Sequence, residues 1–156
     1  MKHWKLPIIF ASLLSVTSAV SAAETITILE ADLYGPHLAD VGTRPYYLFT
    51  ADQRAEGSKA AVSRCYDACA EAWPPLITSE PVKVQGNLDE GLLGSMKRTD
   101  GSVQVTFNGW PLYYYVKPTG GEPASAEDSE LSGHGKREFG GTWYMVAPDG
   151  QPLSRN

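Results

Sequence analysis

The sequence lacks the short motifs by which common catalytic sites are known. It carries no serine nucleophile elbow, no phosphate-binding loop, no HExxH zinc motif and no dinucleotide fingerprint. Basic residues are also scarce, because 13 Lys and Arg stand against 18 Asp and Glu, for a net charge of −5. Nucleic acids and anionic lipids are bound through basic patches. These absences favour a protein that is not an enzyme and that binds neither nucleic acid nor an acidic membrane.

Long apolar runs are absent beyond the N-terminus. There, two lysines precede an apolar stretch at residues 6–16, and small residues follow up to Ala23. A basic start, an apolar stretch and a small-residue cleavage site are typical of a secretory signal peptide, whereas a membrane span needs roughly 20 apolar residues. We therefore predict a signal peptide at residues 1–22 and a single domain at residues 24–156. We expect that domain to have no transmembrane segment and to be periplasmic or secreted.

Short stretches rich in β-branched and aromatic residues fill the domain and predict a mostly β fold. They lie at residues 24–33, 46–50, 103–107, 110–116 and 142–146. Between the third and fourth stretches stand Asn108 and Gly109. Both residues accept the positive φ values of a two-residue turn, so we expect a β-hairpin there.

Two segments depart from this pattern. Residues 59–73 carry many alanines and have apolar residues at spacings of three and four. This predicts one short amphipathic helix around Cys65 and Cys69, which Pro74 ends. Residues 117–138 are rich in Gly, Pro, Ser and acidic residues, which predicts a long mobile surface loop.

The sequence also repeats itself when it is shifted by 66 positions. Residues 45–49 then lie over residues 111–115, and both stretches begin with a proline and continue with aromatic residues. Farther along, one tryptophan-containing segment resembles another with a slightly different shift. Self-similarity at a fixed period indicates two copies of one unit that bury their apolar faces together. We therefore expect two related β units, at roughly residues 35–80 and 95–150.

These features resemble a bacterial family of predicted lipoproteins and secreted-repeat proteins that is named for a Y-x-[FWY]-x-x-D motif. Residues 47–52 match that motif, and later segments resemble the blocks that follow it in the family. The resemblance implies a β fold outside the cytoplasm, and it implies no particular activity, because the family has no agreed one. The residues that correspond to its motifs are Tyr47, Phe49, Asp52, Trp73, Tyr113, Tyr115 and Trp143.

The chain departs from the family pattern at two points. Pro118 occupies the position of the second motif aspartate, so any role for that carboxylate is confined to Asp52. Many members carry a lipobox cysteine for a lipid anchor, and no such cysteine follows the N-terminal apolar stretch here. The resemblance therefore favours a protein without a lipid anchor.

Cys65 and Cys69 are the only cysteines, and their spacing leaves their state open. Export favours a disulfide. However, Cβ atoms four residues apart on a regular helix are separated by about 5–6 Å, whereas a disulfide needs about 3.5–4.5 Å. Either the helix is distorted and the pair is bonded, or the thiols are free or bind a metal as soft ligands. We expect the disulfide.

Other polar and aromatic residues have plain structural interpretations. Asp52 has no partner carboxylate at a telling spacing, and we expect it to bind nearby backbone N–H groups where an aromatic strand ends. His37 and His134 would need the cysteines or acidic residues to form a metal site, and we expect them in solvated turns, with no metal and no cofactor. Alternation over Tyr113 to Tyr115 places at least one ring outward, on an exposed aromatic surface.

The sequence thus favours an exported, non-enzymatic binding or accessory protein of the bacterial cell envelope. Its partner would be an unknown envelope protein or a small ligand. The alternative is a redox or metal-handling accessory protein that uses Cys65 and Cys69. Reactive thiols or a bound metal would distinguish the alternative from the first interpretation.

Overall fold

The computed structural model describes residues 23–116 and 133–154. Over these residues the chain forms short strands, one α-helix and one 3-10 turn. In chain order they are β1 (Thr25–Ala31), β2 (Gly35–Asp40), β3 (Tyr47–Phe49), α1 (Ala68–Ala72), β4 (Lys83–Val84), the 3-10 turn (Glu90–Leu92), β5 (Leu93–Lys97), β6 (Val103–Phe107), β7 (Trp110–Pro111), β8 (Arg137–Glu138) and β9 (Gly141–Met145). The prediction of a mostly β fold with one short helix is confirmed.

The strands form three small sheets, in the orders β2-β1-β4, β3-β9-β8 and β5-β6-β7. Two antiparallel hairpins, β1–β2 and β5–β6, supply the longest pairings. β1 also pairs in parallel with β4, which comes from the segment that links the two hairpins. As a result β1 lies in the middle of its sheet, whereas β5 lies at an edge.

The predicted hairpin turn forms at Asn108 and Gly109. Their φ values are 48° and 78°, as a two-residue type I′ turn requires, and Phe107 pairs with Trp110 across the turn. Pro111 lies in β7 at the edge of its sheet, where a residue without a backbone N–H is tolerated.

The predicted helix at residues 59–73 is wrong in extent, because only Ala68–Ala72 are helical. Gln53 and Val62 instead exchange two backbone hydrogen bonds, each 2.9 Å long. Immediately before the helix, Asp67 has a φ of 51°, a left-handed value through which a right-handed helix does not continue. Most of the residues whose spacing predicted a helix therefore lie in an irregular loop.

The last segment of each unit completes the hydrogen bonding of the other. Leu38 donates its N–H to Val146 and accepts from Tyr46, while Val146 donates to Tyr46, over distances of 2.8–3.2 Å. The same three bonds recur in the second unit. There Val105 takes the place of Leu38, Leu76 takes that of Val146, and Leu112 takes that of Tyr46. Val146 follows the second unit's tryptophan and Leu76 follows the first unit's. The two units are therefore interlocked.

Tyr47 and Tyr113 mark the centre of this arrangement. They stand 66 positions apart in the chain, and each donates its backbone N–H to the carbonyl of the other over 2.9 Å. A reciprocal bond between equivalent residues is what a two-fold axis produces. The internal duplication predicted from the sequence is confirmed, and the two copies are related by an approximate two-fold axis.

Two apolar clusters fill the interior. We call the first the aromatic core, and it contains Tyr34, Tyr47, Phe49, Cys65, Cys69, Trp73, Tyr113, Tyr115 and Trp143 among others. We call the second the aliphatic core, and it contains Ile26, Leu38, Leu48, Leu76, Val105, Phe107, Leu112 and Val146 among others. All the motif residues except Asp52 thus belong to the aromatic core.

Part of the segment predicted as a mobile loop is packed. Gly133 is buried and lies against the rings of Trp73 and Tyr115, in a space too small for a side chain, and β8 pairs with β9. The rest of that loop, residues 117–132, and the predicted signal peptide at residues 1–22 lie outside the described residues. Within the described ranges, no helix is long and apolar enough to cross a membrane.

Candidate functional site

The polar side chains best suited to chemistry meet in one buried cluster between the two units. We call this the polar cluster, and its members are Asp52, Ser63, Arg98, Gln104 and Tyr113. Asp52 and Ser63 lie in the loop between β3 and α1, whereas the other three come from the second unit. All five are almost wholly removed from solvent, and Asp52, at 7% exposure, is the most accessible of them.

A chain of hydrogen bonds runs through the polar cluster from a cation to a carboxylate. Arg98 Nη1 donates to Ser63 Oγ at 3.0 Å, and that hydroxyl lies 2.7 Å from the Tyr113 hydroxyl. Tyr113 in turn donates to Asp52 Oδ2 at 2.7 Å. An ionised carboxylate only accepts hydrogen bonds, so Ser63 donates to Tyr113 and the protons of the chain all point toward Asp52.

Asp52 is bound through both carboxylate oxygens. Its Oδ1 accepts the Arg64 backbone N–H at 2.7 Å, and its Oδ2 accepts the Tyr113 hydroxyl. Burial raises the pKa of Asp52 to about 6, while these two hydrogen bonds and the charge of Arg98 oppose the rise. The expectation of local turn chemistry is wrong, because the backbone N–H that Asp52 binds lies 12 residues farther along the chain.

Arg98 ties the second unit to the cysteine loop of the first. Its Nη2 donates to the Cys65 carbonyl at 2.7 Å, its Nη1 donates to Gln104 Oε1 at 2.6 Å, and its guanidinium lies 4.2 Å from the centre of a tyrosine ring. No sequence pattern gave a role to Arg98 or Ser63. A weak signal existed for Gln104, which stands between valines in a strand that is buried on both faces.

Cys65 and Cys69 form the expected disulfide, with Cα atoms 5.1 Å apart, and both residues are buried. The conflict over spacing disappears because Cys65 precedes the helix, which begins at Ala68. A bonded sulfur is not a thiolate, and the thiolate is the form that binds metals and attacks substrates. The pair instead braces the loop that presents Ser63 and Arg64 to the polar cluster.

Four aromatic rings form a continuous stack beside the polar cluster. Trp73 and Trp143 lie at its centre, with ring centres 3.9 Å apart and planes inclined by 2°. Phe49 stacks on Trp143 at 4.1 Å, and Tyr115 lies against Trp73 at 4.4 Å. Phe49 and Tyr115 are equivalent in the two units, as are the two tryptophans, so the stack follows the same two-fold axis.

The first tyrosine of each motif packs edge-on against the stack. The Tyr47 ring contacts Trp73 at 5.3 Å, and the Tyr113 ring contacts Trp143 at 5.2 Å. Their hydroxyls differ, because Tyr113 donates to Asp52 whereas Tyr47 accepts the N–H of Gly133 at 3.1 Å. The motif residues thus form one continuous interior of six rings and one carboxylate.

A family model described as a secreted repeat of unknown function matches the chain twice, at residues 31–77 and 94–147. The two matches cover well over half of the sequence. The chain belongs to this secreted-repeat family. Each matched segment contributes one tyrosine to the central pair and one tryptophan to the stack, so the repeats of the family are the two interlocked units. Comparisons with curated proteins and with solved structures gave no match.

Of the two histidines of this secreted repeat, only His37 departs from the expected solvated turn. His37 is fully buried, its Nδ1 lies 2.9 Å from the Gly35 carbonyl, and burial lowers its pKa. His134 is half-buried and its ring packs against Tyr34 and Tyr144. The expectation is wrong for His37, which lies in β2, whereas His134 lies in a turn and stays partly exposed. Over residues 23–116 and 133–154, no three potential ligands are grouped as a metal site would require.

The outward tyrosine among Tyr113 to Tyr115 is partly covered. Tyr113 and Tyr115 are buried, which leaves Tyr114 as the outward ring. The Arg44 guanidinium lies 4.4 Å from the centre of that ring, and the Tyr114 hydroxyl donates to Glu24 at 3.1 Å. Tyr114 is thus the expected outward ring, and it is half-buried because Arg44 and Glu24 lie against it.

Proposed function

We propose that this secreted repeat is a non-enzymatic binding or accessory protein of the bacterial cell envelope, whose motif builds a rigid interior and whose surface binds the partner. The state of Asp52 carries the proposal. Both of its oxygens are occupied inside the protein by Arg64 and Tyr113. A general acid or base must reach the proton that it transfers, and Asp52 is 7% exposed.

Two observations support a place outside the cytoplasm. The family is described as secreted, and a disulfide persists in oxidising compartments. The signal peptide at residues 1–22, the periplasmic location, and an envelope protein or small ligand as partner belong to the same proposal. The redox or metal-handling alternative gains no support from a cysteine pair that is bonded and buried.

Photo-crosslinking in the producing cells tests the proposal. A photoreactive amino acid is placed in turn at Leu33, Val41 and Phe139, which are 61%, 69% and 49% exposed. We expect discrete crosslinked species from at least one position and none in unirradiated cells. The crosslinks should persist in Asp52→Asn protein that remains folded. Loss of crosslinks in folded D52N, or no crosslinks from any position, would contradict the proposal.

A further inference from the structure

The outer edges of two equivalent strands are occupied differently. β1 pairs with β2 on one side and with β4 on the other, whereas β5 pairs with β6 alone among the described strands. The equivalence of β1 and β5 follows from the two matching sets of three backbone hydrogen bonds described above, in which Leu38 corresponds to Val105. Ile28 lies opposite Leu38, and Ser95 lies opposite Val105. Ser95 on β5 is therefore the counterpart of Ile28 on β1.

The free backbone groups of β5 follow from its pairing with β6. Arg98, directly after β5, donates its N–H to Ser102 at 2.9 Å. Hydrogen-bonded residues alternate along an antiparallel pair of strands. The backbone N–H and C=O groups of the even-numbered residues of β5 therefore point toward β6, and those of the odd-numbered residues point away from it. The Leu93 carbonyl, the Ser95 N–H and carbonyl, and the Lys97 N–H therefore point away from the sheet. Within residues 23–116 and 133–154, no segment pairs with them.

The first unit shows what such an edge accepts. The Lys83 N–H donates to the Glu24 carbonyl at 2.9 Å, and a second bond of this kind follows two residues later. Val82 and Val84 flank Lys83 and pack against the aliphatic core, while the lysine side chain is exposed. The occupant of the β1 edge is thus an extended Val-Lys-Val segment that runs parallel to the strand.

A groove of about 440 Å³ is lined by residues of β5, including Ser95, by residues of β6 and by residues 78–82. Val82, Leu93, Val103 and Val105 supply apolar walls, and Glu80 also lines the groove. Val103 is 40% exposed, so the groove opens to solvent. A branched apolar side chain fits such walls, and a neighbouring basic side chain would meet the charge of Glu80.

We propose that the edge of β5 binds an extended segment of a partner protein, parallel to the strand, in which branched apolar residues flank a lysine. The inference rests on the binding function proposed above and gives it a surface and a partner chemistry. In strand addition, main-chain hydrogen bonds supply affinity and the pockets for alternate side chains supply specificity. The net charge of −5 also favours a basic segment over an acidic one.

A synthetic peptide with the sequence of residues 79–87, which contains the Val-Lys-Val segment, is the probe. When it is titrated into isotope-labelled protein purified after export, we expect saturable shifts of the backbone amide signals of β5. The same peptide with Val84→Asp should bind at least about tenfold more weakly, since about 1.4 kcal/mol of lost apolar contact is enough for that factor. No saturable shift in β5, or shifts confined to β1, overturns the proposal.

A matched pair of variants tests the main-chain bonds. Ser95→Pro removes only an outward N–H, because Ser95 does not donate to β6, and it should abolish peptide binding. Ser95→Ala keeps that N–H and should bind as the wild type does. If S95P fails to fold, Val103→Lys replaces it, since a positive charge in the groove should repel the lysine-bearing segment and abolish binding. Wild-type binding by folded S95P, or by V103K, overturns the proposal.

The remaining outcomes assign the edge to another occupant. We expect the protein alone to sediment as a monomer, and a dimer that S95P dissociates would give the edge to a second copy. Amide signals of β5 that change when residues 117–132 are deleted would give it to that segment. Either result overturns the proposal. Cellular crosslinks that survive in S95P would exclude this surface while leaving the proposed binding function intact.

Discussion

The two units share a backbone and a set of rings but differ where their aromatic strands end. In the first unit the strand leads to Asp52 and to the disulfide loop, and the carboxylate binds the Tyr113 hydroxyl. In the second unit the matching position in the sequence is Pro118, and the Tyr47 hydroxyl accepts a backbone N–H from Gly133 instead. Both units therefore contribute to one ring stack, and the polar cluster lies where the aromatic strand of the first unit ends. The shared rings and the Asp52 carboxylate can be tested separately.

Replacing the two central tryptophans tests the shared part. Trp73 and Trp143 are both fully buried, and loss of a core tryptophan to alanine lowers the free energy of unfolding by about 3–5 kcal/mol. We expect Trp73→Ala and Trp143→Ala to fall in this range and to be similar, because the two rings stack on each other and each lies against an equivalent aromatic residue of one unit. Urea unfolding measures both, and Leu33→Ala at an exposed site should change little. A loss at one tryptophan less than half of that at the other would break the symmetry.

The dependence of stability on pH tests the part that the units do not share. The pKa of Asp52 is raised from 3.8 to about 6 in the folded protein, so the folded state binds this proton more tightly than the unfolded state does. The contribution of the protonated Asp52 carboxyl to the free energy of unfolding is therefore fully present below the unfolded pKa and is lost as the pH rises through the folded pKa. At about 1.4 kcal/mol per pKa unit, the loss is about 2–3 kcal/mol.

Asp52→Asn removes this titration. The free energy of unfolding of the variant should therefore fall less than that of the wild type as the pH rises from 3.8 to about 6. Chemical unfolding at a series of pH values measures both proteins. Asp32→Asn, at an exposed site of the same unit, should follow the wild-type profile. Profiles for the wild type and D52N that run parallel across the range would mean that the Asp52 carboxyl does not distinguish the units.

The disulfide gives the smallest expected effect. A bridge that closes so short a loop stabilises the folded state by about 2 kcal/mol through the unfolded chain. We expect Cys65→Ser with Cys69→Ser to lower the free energy of unfolding by about that amount, and to leave the near-ultraviolet circular dichroism of the stacked tryptophans largely intact. Mass spectrometry of the native protein should find no reactive thiol before reduction and two after it. Reactive thiols in the native exported protein would reopen the thiolate alternative.

The hairpins and the duplication were predictable because their signals are local. Alternation over residues 103–107 and the Asn-Gly pair each act over a few residues, and the stretches around Tyr47 and Tyr113 align directly. The extent of the helix was not predictable, because no local sequence pattern marks the left-handed backbone of Asp67, which directly precedes the helix. Spacings of three and four persist in a loop even though no helix forms there.

The polar cluster could not be predicted for a different reason. Its members stand between positions 52 and 113 of the chain, and only the interlocking of the units brings them together. Arg98 and Ser63 belong to residue types that usually face solvent, so nothing local marks them as buried. Asp52 was found through its motif, but its partners, Arg64 and Tyr113, lie beyond the reach of turn chemistry.

The interlocking of the units also sets the order in which the chain can finish folding. Leu38 and Tyr46 are made early, yet the residue that bonds to both of them, Val146, comes 100 positions or more later. The hydrogen bonds of the first half can therefore be completed only after nearly the whole chain has been made. The native structure of the first unit depends in this way on the last strand of the second.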